Sequence, residues 1–286
     1  MIERIAILGT GLLGASAGLA LRAAGYRGTI AGWNRSPEQA QLALSMGALD
    51  SVATDPIEVA RASQVVLLAT PVYAILDWME QLSGVLGPEH LITDVGSTKA
   101  QITSAAVRLF NRPERAAFLP GHPMAGKERG GAALADATLF RGAVWLFTDD
   151  PNWKRSPHSA TLVKDWREWV SAIGAKTIDL NAVRHDELVA WVSHLPQFVA
   201  TGLSALLEEE VGYAPELKDV GGRGLREMTR LGASPYSMWR DIAHTNTEAI
   251  QAALFALEQR LAHIRENLRT PALRDEFDKA NRFRRD

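Results

Sequence analysis

Two side chains of this sequence stand where a proton could be moved. His122 lies in Gly121-His122-Pro123-Met124-Ala125-Gly126-Lys127-Glu128, and Ser97 in Asp94-Val95-Gly96-Ser97-Thr98-Lys99. Each follows an apolar run that reads as a strand, 116–119 before the histidine and 91–95 before the serine. A neutral imidazole, with a reference pKa near 6.5, suits taking a proton from an alcohol whose carbon gives up hydride. A lone histidine also serves as a structural group, but the strand end and the flanking Gly121 and Pro123 favour the chemical reading. Thr98 with Gln101 reads as the cap pair of the next helix, which leaves the Ser97 hydroxyl free.

A hydride needs an acceptor, and residues 5–20 supply the signature of one. An apolar run, Ile5 to Leu8, ends in Gly9-Thr10-Gly11-Leu12-Leu13-Gly14 and opens an Ala/Leu-rich helix. Gly9 allows the tight turn, Gly11 lets the backbone approach a pyrophosphate, and Gly14 lets helix and strand pack closely. Leu12 and Leu13 begin the helix, whose free N–H groups and positive end face the phosphates. A glycine-loosened buried hairpin would leave this spacing unexplained. About 20 residues on, where an acidic residue usually takes a ribose 2′-hydroxyl, Asn34-Arg35-Ser36 stands instead. A guanidinium and a hydroxyl suit a 2′-phosphate, so NADP is expected over NAD. Ser36-Pro37-Glu38-Gln39 is equally a helix cap, and both roles can hold together. Thr70-Pro71, closing another apolar strand, should face the middle of the cofactor.

These groups need a scaffold, and the chain spells one. Apolar runs at 5–8, 28–33, 64–69 and 91–95 alternate with helical stretches, and further runs follow at 116–119, 143–147 and 175–180. That alternation predicts an α/β, doubly wound, Rossmann-type domain over residues 1–180, with a parallel sheet covered on both faces. After residue 180 no strand pattern recurs. Residues 182–211 and 249–268 read as long amphipathic helices, 221–224 and 235–239 as turns, and 269–286 as a charged terminal helix. Residues 181–286 are therefore expected to form an all-α domain, suited to a dimer seam.

At 286 residues, 47% hydrophobic and 22% charged, the composition is that of an ordinary globular protein. A net charge of −2 offers no basic field for nucleic acid or an anionic membrane, so a small-molecule substrate is expected. The absence of cysteine excludes disulfides and thiolate chemistry and suits the cytoplasm. The uncharged run 5–21 reads as strand and helix, not as a signal or membrane span. His185 and His194 fit no usual zinc spacing, and no metal is expected.

The His122 and Ser97 motifs, followed by Ser193-His194-Leu195-Pro196 and by Thr229-Arg230 through Met238-Trp239-Arg240-Asp241, resemble the prephenate/arogenate dehydrogenase family of tyrosine biosynthesis. The resemblance implies oxidative decarboxylation of a cyclohexadienol: hydride leaves for NAD(P)⁺, the ring carboxylate departs as CO₂, and the ring becomes aromatic. It makes His122 the proton acceptor and Ser97 its partner at the hydroxyl and nicotinamide. It makes Arg230 the carboxylate anchor, has Ser193, Gln197 and Trp239 shape the pocket, and gives Glu128 a gating or loop-orienting role. It also implies a homodimer through the helical domain. Arg230 as a surface ion-pair former and Trp239 as plain core are the competing readings, and His194 before Pro196 reads as structural.

Two departures stand out. Gln197 occupies a place where many prephenate-specific members carry histidine, which, with Asn34-Arg35-Ser36, favours arogenate. Lys127 replaces a more frequent Thr or Ser. With the chain stopping at Asp286, no appended regulatory domain is expected, and end-product inhibition would act at the active site. A β-hydroxyacid dehydrogenase, an imine reductase or a non-catalytic NADP-sensing protein would share the glycine motif without requiring Ser97, His122 and Arg230.

Overall fold

The computed structural model describes Met1–Arg285, apart from the side chain of Lys218; Asp286, the end of the expected second domain, lies outside the described residues. The amino-terminal elements are β1 (Arg4–Leu8), α1 (Leu12–Ala23), β2 (Thr29–Trp33), α2 (Pro37–Ser45), β3 (Ser51–Val52), α3 (Pro56–Arg61), β4 (Val65–Leu68), α4 (Val72–Ser83), β5 (Leu91–Asp94), α5 (Ala100–Phe110) and β6 (Ala117–Leu119). The six strands form one parallel sheet in the order β3-β2-β1-β4-β5-β6. Every residue of β4 and β5 is buried, as strands covered by helices on both faces must be. The strand order reverses between β1 and β4, so the connections leaving their carboxyl ends diverge and open a crevice. β3, only two residues long, carries too little pattern to be read from sequence.

The expected parallel sheet does not extend past β6. Pro120 has no N–H to continue the ladder, and the chain turns there onto β7 (Gly121–Pro123), which joins β8 (Val144–Phe147) and β9 (Lys176–Asp179) in a second sheet. β7 pairs antiparallel with β8, and β8 parallel with β9; α6 (Pro157–Ala172) connects the last two. His122 therefore lies within a short strand, not in the loop beyond one. Gly121 is needed at the junction, because a Cβ there would come within 2.8 Å of both the Asp94 carbonyl oxygen and Trp145 Nε1.

The rest is helical: α7 (Ala182–Val189), α8 (Leu195–Val211), α9 (Leu217–Val220), α10 (Gly222–Thr229), α11 (Tyr236–Thr245), α12 (Thr247–Glu266) and α13 (Ala272–Arg285). The single helix expected over 182–211 is split by a π turn, Ala190–His194. Pro196 explains the split, since its ring cannot sit under an ordinary preceding turn and the wider π turn makes room. The stretches expected as turns are helix starts: Gly222, with φ +59°, opens α10, and Pro235 precedes α11.

The two halves meet through polar contacts on helix N-termini. Asp186 on α7 accepts from the Lys99 N–H at 2.7 Å and the Ala100 N–H at 2.8 Å, closing the start of α5. Asp241 on α11 accepts from the Tyr73 N–H in the first turn of α4 at 3.4 Å. Thr98, expected as a cap, instead hydrogen-bonds the Thr245 hydroxyl at 2.7 Å, because a carboxylate is the stronger partner for two free N–H groups.

Candidate active site

The glycine turn has the form its spacing predicts. Gly9 adopts φ +102°, and a Cβ there would overlap the Ala69 carbonyl. A Cβ at Gly14 would overlap the Gly9 carbonyl oxygen, so this glycine is what lets α1 lie on the loop. A Cβ at Gly11 would meet nothing within 4 Å: this side of the loop faces open space. No side chain caps α1, which leaves the N–H groups of Leu12 and Leu13 directed at the crevice. Across it, the Thr70 hydroxyl is buried without a hydrogen-bond partner, beside Pro71 at the start of α4. An uncapped helix, an open glycine face and an orphaned hydroxyl fit a bound dinucleotide.

At the far end, Asn34 ties the end of β2 to the glycine loop, donating to Thr10 Oγ1 at 3.2 Å and accepting from the Ser36 N–H at 3.0 Å. The Ser36 hydroxyl accepts from the Gln39 N–H at 3.4 Å and donates to Glu38 Oε2 at 2.6 Å. It acts as the cap of α2, and Glu38 sets a carboxylate beside it. Arg35 is exposed, with no ion-pair partner among the described residues.

At the end of β5 the chain places a group that the sequence reading left without a role. Lys99 and Asp94 are both fully buried and paired with each other. The Asp94 carboxylate also accepts from the Gly96 N–H at 2.8 Å and the Gly121 N–H at 3.0 Å, so it pins the strand bearing His122 to the strand preceding Ser97. Ser97 sits half-buried on the loop between them.

His122 is 8% exposed. Its Nδ1 lies 2.8 Å from His185 Nε2, and His185 Nδ1 lies 2.7 Å from Asp186 Oδ1. Burial pushes the His122 pKa well below the usual histidine value, helped by the neighbouring His185, Lys99 and His194. Burial lowers His185 as well, against the opposing pull of Asp186. His194 is brought down to about 4 by burial. These rings are neutral at pH 7, and an imidazole must be neutral to accept a proton.

Of the side chains assigned to a substrate pocket, Arg230, Glu128 and Gln197 gather around one turn, while Trp239 and Ser193 lie apart from it. Arg230, 60% exposed at the start of a 3₁₀ turn, pairs with Glu128 on the loop after β7. Gln197 is buried and donates to the Leu231 carbonyl at 2.7 Å and Thr201 Oγ1 at 3.1 Å, while its oxygen accepts from Ser234 Oγ at 3.1 Å. Its amide thus holds the turn that carries Arg230. Trp239 packs edge-on against His194 and Phe198, with its indole N–H buried and unpartnered. Ser193 is half-buried in the π turn. Lys127 donates to the Leu134 carbonyl at 2.7 Å.

Comparison with known proteins decides the family. The model described as the prephenate dehydrogenase nucleotide-binding domain matches residues 17–178, and that described as the prephenate dehydrogenase dimerization domain matches residues 181–281. The chain belongs to the prephenate dehydrogenase family. It is 33% identical to a Bacillus subtilis prephenate dehydrogenase over 252 residues, 87% of this chain, and spans 66% of that relative's length. The Aquifex aeolicus prephenate dehydrogenase, solved with hydroxyphenyl propionate and NAD⁺, superposes with a TM-score of 0.86 at 28% identity, covering 100% of this chain and 98% of that one. A Synechocystis arogenate dehydrogenase gives a TM-score of 0.75 at 25% identity, with 98% of both chains covered. In this prephenate dehydrogenase family member, no helix among the described residues is long and apolar enough to cross a membrane.

His185 and Asp186 were missed as site residues from sequence. The only local signal is a histidine followed by an acid on an amphipathic stretch; their partner stands 63 residues earlier, on another element.

Proposed function

We propose that this chain is an NADP-dependent arogenate dehydrogenase that also accepts prephenate. In our reading, residues 1–180 hold the cofactor, residues 181–286 complete the substrate pocket, and two copies pair through the helical half in the cytoplasm. The observation that carries the proposal is the state of His122: a neutral ring at the crevice with Nδ1 engaged and Nε2 without a partner among the described residues.

The glycine turn, the α1 N-terminus and Thr70-Pro71 would hold the dinucleotide, whose nicotinamide would supply the hydride acceptor. His122 Nε2 takes the hydroxyl proton as the ring carbon gives up its hydride. The C–CO₂ bond then breaks, its electron pair enters the ring, and the proton returns to the oxygen of the phenol formed. Aromatisation drives the step, so the protein mainly orients the ring and receives one proton. Ser97 meets the same hydroxyl, and Arg230 anchors the side-chain carboxylate when Glu128 releases it. A neutral Gln197 puts no cation near the amino group that distinguishes arogenate, and Arg35 offers charge to the 2′-phosphate. The dimer is supported by the exposed apolar side chains Leu206, Phe255, Leu261, Phe277 and Phe283 on the carboxyl-terminal helices.

The deciding assay follows reduced-nicotinamide absorbance with each acid and each cofactor. Turnover should be fastest with arogenate and NADP⁺. Absence of turnover with both acids would overturn the proposal.

A further inference from the structure

The proton acceptor must present the correct nitrogen, and the groups behind His122 decide which one that is. Asp186 Oδ1 already accepts from the Lys99 N–H at 2.7 Å, so toward His185 Nδ1, also 2.7 Å away, it is again the acceptor and this nitrogen carries the proton. The His185 ring is buried and neutral, so its Nε2 is then a bare lone pair. That lone pair lies 2.8 Å from His122 Nδ1, which must therefore be the protonated nitrogen of the second ring. What remains on His122 is an unprotonated Nε2, the only ring nitrogen left for a ligand.

The direction of the chain is fixed at its far end. Asp186 accepts from the Lys99 and Ala100 N–H groups of the α5 N-terminus, so both its carboxylate oxygens are engaged as acceptors. The charged and titratable groups facing this relay are Lys99 and Asp94 from the β5–α5 side and His194 from the π turn. Lys99 and Asp94 neutralise each other, and the unpaired His194 Nε2 touches neither ring nitrogen of the relay.

We propose that His185 and Asp186 are positioning residues that lock His122 in the Nδ1–H tautomer, so that docking the helical half onto α5 is what makes His122 a base. The relay also steadies the imidazolium formed when Nε2 accepts the proton, because His185 Nε2 remains an acceptor for the opposite N–H. The catalytic part of this inference rests on the dehydrogenase reading; the tautomer part does not.

The test uses the full chain with ¹⁵N-labelled histidine, together with His185→Gln and His185→Leu. Glutamine keeps an oxygen acceptor toward His122 and an N–H donor toward Asp186, whereas leucine keeps neither. The His122 ring should show Nδ1–H in the parent and in His185→Gln, and lose that preference in His185→Leu. In turnover, His185→Leu should lose roughly 100-fold in kcat with KM within about threefold, and His185→Gln should recover to within about tenfold of the parent. An Nε2–H tautomer in the parent, or equal kcat losses in the two variants, would overturn the proposal. If His185→Leu does not fold, the parent's tautomer and the activity of His185→Gln still decide. If the parent turns over neither acid, the dehydrogenase reading fails while the nitrogen spectra still judge the relay.

Discussion

Helices α1 and α5 begin in the same way and end up with opposite uses. Each follows the carboxyl end of a parallel strand in one sheet, each is preceded by a glycine-bearing loop, and each directs free N–H groups and a partial positive charge at the same crevice. The α1 end has no side-chain cap and a glycine face with nothing within 4 Å. The α5 end is filled by Asp186 from the helical half. The sheet therefore leaves one helix terminus open and uses the other to seat a second domain with a carboxylate of its own. That choice also places His185 against His122, so the domain contact and His122 belong to one hydrogen-bonded chain.

The comparison can be broken most severely on the α5 side. Lys99→Met leaves Asp94 buried without its cation, and denaturant unfolding should show a loss of about 3–5 kcal/mol. An unchanged midpoint would mean that the buried pair does not hold β5 to β7. Acid should act on the same side, because the neutral histidines lie there. His194 has a folded pKa of about 4 against about 6.5 unfolded, and the pKa values of His122 and His185 are also lowered. The unfolded chain therefore binds the protons, and stability present above pH 6.5 is lost as pH falls toward 4, by roughly 3 kcal/mol from His194 alone. Thermal unfolding across that window checks the sign, and stability that rises on acidification would contradict it.

On the α1 side the glycines should separate cleanly. Gly14→Ala forces a Cβ into the Gly9 carbonyl and should cost about 1–3 kcal/mol of stability. Gly11→Ala, facing open space, should leave the melting temperature unchanged and weaken only cofactor binding. Destabilisation by both, or by neither, would remove the distinction between a packing glycine and a ligand-facing one. The smallest effect is expected at the rim: Arg35→Ala should weaken NADP⁺ by about tenfold while sparing NAD⁺. Equal losses, read by titration of each cofactor, would assign the 2′-phosphate elsewhere.

What the sequence makes legible here is what adjacent residues decide together. Gly9, Gly11 and Gly14 act within one turn, Ser36-Pro37 caps the helix that it starts, and a strand end next to Gly121 marks His122. The sheet change was within reach too, since Pro120 is the residue that cannot extend the ladder. Contacts between distant segments leave no such mark. Nothing near residue 98 says that its cap will be a carboxylate 88 positions later, nor does a histidine at 185 announce a partner at 122. Gln197 shows the same limit from the other side: the family resemblance implies a pocket role for it, but only the fold reveals that its amide is engaged by the turn carrying Arg230.

In the proposed mechanism a proton passes to His122 Nε2. The most direct measurement is the turnover of His122→Asn with arogenate and NADP⁺, with cofactor affinity titrated on the same preparation. A fall in kcat of roughly 10²–10⁴-fold with an unchanged cofactor Kd is the predicted result. Turnover within a few-fold of the parent would contradict it.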